Sequence, residues 1–144
     1  MTNISDYDLR DFTPYLLNLA SETTSLAFQQ HYRDTYGMLR TEWRVLFHLG
    51  QYGPQLARDI CNRARLHKTK VSRAVRALEL KRYLRRSEDS KDRRQELLEL
   101  TPMGRSVFAE LRQAAQKFDE NLVAQFTPEE RATLKQCLAR IADL

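Results

Sequence analysis

Only three residues, Arg65-Leu66-His67, separate two short amphipathic segments, and that spacing leaves the chain few ways to fold. On the N-terminal side, roughly Leu56 to Arg63, the residues Leu56, Ala57, Ile60 and Ala64 recur at helical intervals and make a buried side. On the C-terminal side, from about Lys68 to Lys81, Val71, Val75 and Leu78 form an i, i+4, i+7 stripe with Ala74 beside it. The opposite face of that second segment carries Lys68, Thr69, Ser72, Arg73 and Arg76. Two short helices joined this closely, the second basic on its outer side, are the arrangement that sets a helix into a DNA major groove.

The residues that follow extend the pattern. Tyr83-Leu84-Arg85 and Leu97-Leu98-Glu99-Leu100 read as two short strands around the polar stretch Ser87 to Gln95, a basic β-hairpin wing. The leucines of the second strand do not alternate cleanly, so its register is open. Thr101-Pro102 reads as an N-cap and first-turn proline opening a long helix to about Gln125, along Met103, Val107, Leu111, Ala114, Phe118 and Leu122. Thr127-Pro128-Glu129-Glu130 opens a last helix with a capping box, and Leu134, Leu138 and Ile141 line it. Upstream, Phe12, Leu16, Leu19, Ala20, Ala27 and Phe28 mark one long helix with Pro14 close to its start, and Trp43, Leu46, Phe47 and Leu49 mark a second that ends near Gly50.

The expected fold is therefore mainly α with a small β-wing: a winged helix-turn-helix at about 36–100, flanked by helical parts at about 5–33 and 102–144, in one domain over 1–144. The winged core accounts for only about half of the chain. A helix of about 24 residues spans about 36 Å, longer than one small winged domain can cover. Its apolar stripe needs a partner, and the terminal helices of a second copy are the simplest. The flanking helices are accordingly read as dimerisation helices, and two-fold symmetry would present two recognition helices about 34–36 Å apart.

Charge points to the same partner. The formal charge is +5 overall, yet residues 65–94 hold twelve Lys/Arg against Glu79, Glu88, Asp89 and Asp92, a local +8. Such a field suits phosphates, and double-stranded DNA is the expected ligand. Thr69, Lys70 and Arg73 are the candidates for base edges, and Lys68, Ser72 and Arg76 for phosphate. In the wing, Lys91, Arg93 and Arg94 can reach toward a minor groove. Asp89 and Asp92 are read as positioning residues, with an Asp92–Arg94 ion pair orienting the guanidinium. A divalent-metal site from Glu88, Asp89 and Asp92 is the weaker reading in so basic a cluster.

Other classes find little support. No apolar run is long enough for a membrane span, and the start, MTNISDYDLRD, lacks the features of a signal peptide, so a cytoplasmic protein is expected. There is no HExxH, GxSxG, P-loop or dinucleotide fingerprint, and His31, His48 and His67 stand apart; no enzyme, cofactor or metal is expected. Cys61 and Cys137 are read as buried structural thiols, with redox sensing the lesser alternative. His67 borders the DNA face or serves as a cap; both readings stay open. His31, Tyr32, Tyr36, Arg40, Trp43, Arg44 and Phe47 either line a cleft for a flat anionic compound or simply fill the junction.

Taken in order, Glu42-Trp43-Arg44-Val45-Leu46, the run Thr69-Lys70-Val71-Ser72-Arg73-Ala74-Val75 with Leu78-Glu79, Glu88-Asp89-Ser90-Lys91-Asp92-Arg93-Arg94, and Leu100-Thr101-Pro102-Met103-Gly104 resemble the MarR family of bacterial regulators over nearly the whole chain. The resemblance implies a triangular homodimer on a roughly palindromic operator. In many relatives it also implies repression relieved by phenolic compounds or aromatic carboxylates, and a wing acid and arginine, here Asp92 and Arg94, that pair to place the arginine in the minor groove. The alternative is an effector-independent or architectural DNA binder. Two residues depart from the pattern: Arg82 stands where a helix-ending glycine is usual, so the recognition helix is expected to end differently or run longer, and Leu39 stands where a threonine often caps the second helix. The reactive N-terminal cysteine of the peroxide-sensing relatives is missing from this sequence.

Overall fold

A computed structural model describes residues 6–144; the first residues of the expected domain and of its N-terminal helical part, 1–5, lie outside the described residues. In chain order it contains α1 (Thr13–Tyr36), α2 (Arg40–Tyr52), α3 (Ala57–Ala64), α4 (Lys68–Leu80), β1 (Leu84–Glu88), β2 (Glu96–Leu100), α5 (Pro102–Val123) and α6 (Pro128–Ile141). A 3-10 turn, Leu9–Asp11, precedes α1. Asp8 caps it by accepting the Arg10 N–H, and the chain restarts as α-helix at Thr13 with Pro14 in the first turn, where its missing N–H costs nothing.

One core holds the centre together. Met38 just before α2 and Val45, Leu46 and Leu49 within it meet Ile60 of α3, Val71, Ala74, Val75 and Leu78 of α4, and Leu84, Leu98 and Leu100 of the hairpin. Val107, Phe108 and Leu111 close it from α5, and Phe28 and Tyr32 from the C-terminal half of α1. The second helix runs two residues past Gly50, because Gly50 is a packing residue and not a stop: a Cβ there would lie 2.4 Å from the Phe108 ring. Leu39 has no side-chain acceptor to cap α2, and Glu42 makes up for it by accepting the Leu39 N–H.

The hairpin register resolves the ambiguous leucines. Leu84 pairs with Leu100, Arg86 with Leu98 and Glu88 with Glu96, so Leu98 and Leu100 face the core. A third segment joins that no sequence pattern announces: Gln55 exchanges both backbone hydrogen bonds with Leu98, at 3.1 and 2.9 Å. A single bridging residue lacks the length for a period-two signal.

The two ends of the chain look different. Phe12, Leu16, Leu19 and Leu26 are exposed at the N-terminal end, and no residue of α6 is buried, leaving Leu134, Leu138 and Ile141 open to solvent. Cys137 lies on that exposed helix and Cys61 is half-buried, so the expectation of two buried thiols fails. None of the described helices is long and apolar enough to cross a membrane.

Candidate nucleic-acid interface

The face of α4 follows from its stripe. With Val71, Ala74, Val75 and Leu78 turned into the core, Lys68, Thr69, Lys70, Ser72, Arg73 and Arg76 are all exposed. Three anchors set how this face is presented. At its start His67 is the N-cap, its Nδ1 accepting the Thr69 N–H at 3.2 Å, which leaves Nε2 as the protonated nitrogen of the neutral ring. At its end the buried Glu42 accepts a hydrogen bond from Lys81 Nζ at 3.3 Å, tying the helix C-terminus to α2. Between α3 and α4, Arg65 takes a left-handed conformation, φ 54°, that turns the chain in one residue.

Arg82 answers the question raised by the missing glycine. The helix ends at Leu80, neither later nor differently, and Arg82 itself adopts φ 63°, the left-handed geometry a glycine would have supplied freely. The next residues are locked to α5: Thr101 N–H donates to the Tyr83 carbonyl at 3.0 Å and Thr101 Oγ1 to the Arg82 carbonyl at 2.6 Å. Gly104 lets α5 approach so closely that a Cβ would stand 1.9 Å from the Tyr83 carbonyl oxygen.

The wing is braced at its base and built from turns at its tip. Arg86 bridges Glu79 of α4 at 2.9 Å and Glu96 of β2 at 3.0 Å; those bonds, the one to Glu96 foremost, hold the guanidinium more firmly protonated than usual. At the tip, Asp89 Oδ1 accepts the Lys91 N–H at 3.1 Å and Asp92 Oδ1 accepts the Arg94 N–H at 3.0 Å. In place of the expected Asp92–Arg94 ion pair the structure has a backbone hydrogen bond, the Asx-turn in which the carboxylate accepts the amide two residues on. Lys91, Arg93 and Arg94 are exposed, and among the described residues none of them makes an ion pair. The described residues likewise contain no cluster of His, Cys, Asp or Glu fit for a metal ion.

Behind this face lies a cleft of about 450 Å³ between α1, α2 and α5. Of the residues left open between lining a cleft and filling the junction, Tyr32, Arg40, Trp43, Arg44 and Phe47 line it, together with Thr24, Ser25, Phe28, His48, Ala115 and Phe118. His31 and Tyr36 do not. The His31 ring packs on Phe28, centroids 5.0 Å apart, and Tyr36 turns to α5, where its hydroxyl donates to the Glu110 carboxylate. Burial, reinforced by Glu110, pushes the Tyr36 phenol up to about 12. The extra lining residues were legible in principle: Thr24, Phe28 and Tyr32 stand four apart on α1, as do Arg40, Arg44 and His48 on α2, so each triple shares a face. Burial of Tyr32 raises its phenol against the opposing pull of Arg40.

Known proteins resemble this one in the same parts. Residues 36–95 match the family model described as MarR family. An uncharacterized HTH-type transcriptional regulator of Bacillus subtilis, YwaE, is 28% identical over 110 residues, 76% of this chain, and the chain spans 64% of that relative's length. The structure of BpsR from Bordetella bronchiseptica, a protein whose DNA binding is regulated by 6-hydroxynicotinic acid, superimposes with a TM-score of 0.86 at 25% identity, covering 96% of this chain and 98% of that one. A mutant MarR from E. coli complexed with operator DNA shares the fold, TM-score 0.82 at 18% identity, over 94% of this chain and 99% of that one.

Proposed function

Because this chain belongs to the MarR family of winged helix-turn-helix regulators, DNA-binding proteins without catalytic activity, we propose that it is a homodimeric repressor of palindromic operators, released from DNA by a small aromatic acid or phenol. The observation that carries the DNA half is the segregation on α4, where each apolar residue of the stripe is buried and all six polar candidates are exposed beside an ion-pair-free basic wing tip. On this reading Thr69, Lys70 and Arg73 meet base edges, Lys68, Ser72 and Arg76 meet phosphates, and Lys91, Arg93 and Arg94 follow the flanking groove, with Asp89 and Asp92 fixing the tip.

The dimer reading rests on the open apolar residues at both ends of the chain, Leu16 and Leu19 on α1 and Leu134, Leu138 and Ile141 on α6. Residues 6–33 and 102–144 then serve dimerisation and 36–100 serve DNA. The effector reading rests on the cleft, whose walls are aromatic and whose polar edge carries two arginines, a chemistry suited to a flat carboxylate. Regulation of BpsR by 6-hydroxynicotinic acid makes that compound a first candidate to test here.

The deciding experiment captures genomic fragments on the purified protein and titrates the best duplex at several salt concentrations, with and without 6-hydroxynicotinic acid. Binding should be sequence-dependent and fall steeply with salt. Arg73→Ala should cost about 1–3 kcal/mol and relax preference at the base it reads. Equal affinity for random and selected duplexes would sink the proposal.

A further inference from the structure

Arg44 belongs to two places at once. Arg44 is one of the residues lining the cleft, and its Nη2 donates at 2.9 Å to the carbonyl oxygen of Ala64, the last residue of α3. Beyond Ala64 only three residues remain before α4: Arg65 in its left-handed turn, Leu66 packed against the core, and His67, the cap of the recognition helix. Whatever holds the Ala64 carbonyl therefore helps to hold the start of α4. Arg44 is also electrostatically incomplete. Its one hydrogen-bond acceptor is neutral, its charged neighbour is Arg40, and among the described residues no ion pair engages either arginine. Burial first, and Arg40 second, push its guanidinium below the ordinary arginine range. A half-buried cation in this state lacks an anion.

We propose that Arg44 is the positioning residue through which a carboxylate in the cleft loosens the recognition helix. Nη2 carries two N–H groups, one on each two-pronged edge of the fork, so a carboxylate that takes the edge now turned to Ala64 competes for the N–H that holds it. The ligand favours the state in which Arg44 has turned into the cleft, and it shifts the balance by that difference in affinity alone. The α3–α4 junction loses its tether, and Thr69 to Arg73 lose their fixed approach. This rests on the effector reading given above and adds the route by which occupancy reaches DNA.

The test uses the full chain with benzoate as the probe, comparing wild type with Arg44→Met, which keeps the stem but no donor, and Arg44→Lys, which keeps the charge. Fluorescence of Trp43, the only tryptophan, reports occupancy; affinity for the selected duplex and amide hydrogen exchange over residues 65–70 report the junction. Benzoate should quench the wild type, weaken its DNA binding and speed exchange at 65–70. Arg44→Met should show the same loosened junction and about tenfold weaker DNA binding without benzoate, with no further loss on adding it, and Arg44→Lys should recover part of the protection. If Arg44→Met binds DNA and exchanges like wild type while benzoate still releases wild type, the coupling role falls and the effector reading stands. If benzoate and 6-hydroxynicotinic acid neither quench nor release wild type, the effector reading falls and takes the switch with it. Exchange raised evenly over the whole chain in Arg44→Met, with a lowered Tm, also overturns the proposal, since it marks a merely structural residue.

Discussion

Arg82 and Tyr36 show how much a single side chain can carry outside the recognition helix. A left-handed conformation costs a non-glycine residue about 1–2 kcal/mol, and Arg82 holds one at φ 63°. Arg82→Gly should therefore raise stability by about 1 kcal/mol, seen as a higher urea midpoint with an unchanged m-value. If DNA affinity falls in the same variant, the arginine is kept for a phosphate contact and the strain is tolerated for it. Tyr36 gives a pH signature. Its phenol is pushed up to about 12, above the roughly 10 of an unfolded tyrosine, so its stabilising contribution is complete below about pH 10 and is lost as pH climbs toward 12. The stability gap between wild type and Tyr36→Phe should be flat to about pH 10 and shrink beyond it; a gap that stays constant to pH 12 would show that the phenol is not perturbed.

Among the elements, the helices were legible from apolar spacing, and the joints between them were not. The α4 stripe of Val71, Val75 and Leu78 could be read directly, because period 3.6 is a property of one segment. The salt bridge from Glu42 to Lys81, the bonds of Arg86 to Glu79 and Glu96, and the Gln55–Leu98 bridge join residues of different segments, and the periodicity of no single segment announces them. The cleft was half legible for a related reason. Each helix face was visible, but that His31 and Tyr36 turn away depends on α5, which brings Phe118 and Glu110 against them. The tightest joint is that of α5 with the root of the wing. Gly104→Ala would drive a methyl group into the Tyr83 carbonyl, and we expect a loss of about 3 kcal/mol by urea denaturation, with the wing displaced from α5. A loss under about 0.5 kcal/mol would mean that this contact is soft.

At the scale of the whole molecule, an incomplete surface is the dominant fact. The centre of the chain closes on its own core, whereas α6 buries nothing and α1 is buried only at Phe28 and Tyr32. If the proposed dimer forms through these residues, Leu134→Glu combined with Leu138→Glu should leave the helical circular dichroism and the winged core intact, since neither side chain is buried, yet shift the protein to a monomer in sedimentation equilibrium. Affinity for a palindrome should drop by about two orders of magnitude or more as the two half-sites lose their linkage. A variant that remains dimeric would place the interface elsewhere.

The wing tip has one last consequence, and it concerns ionic strength. Asp89 and Asp92 each turn one oxygen, Oδ1, to a backbone amide, and among the described residues neither Lys91 nor Arg94 has an ion pair to abandon when DNA arrives. Each cation that meets a phosphate displaces condensed counterions at full value, about 0.9 per contact on B-DNA. On the proposed DNA-binding reading, a wing tip stiffened in this way acts as a gauge of salt: its grip should tighten and slacken with the ions of the medium, while the bases assigned to α4 stay the same.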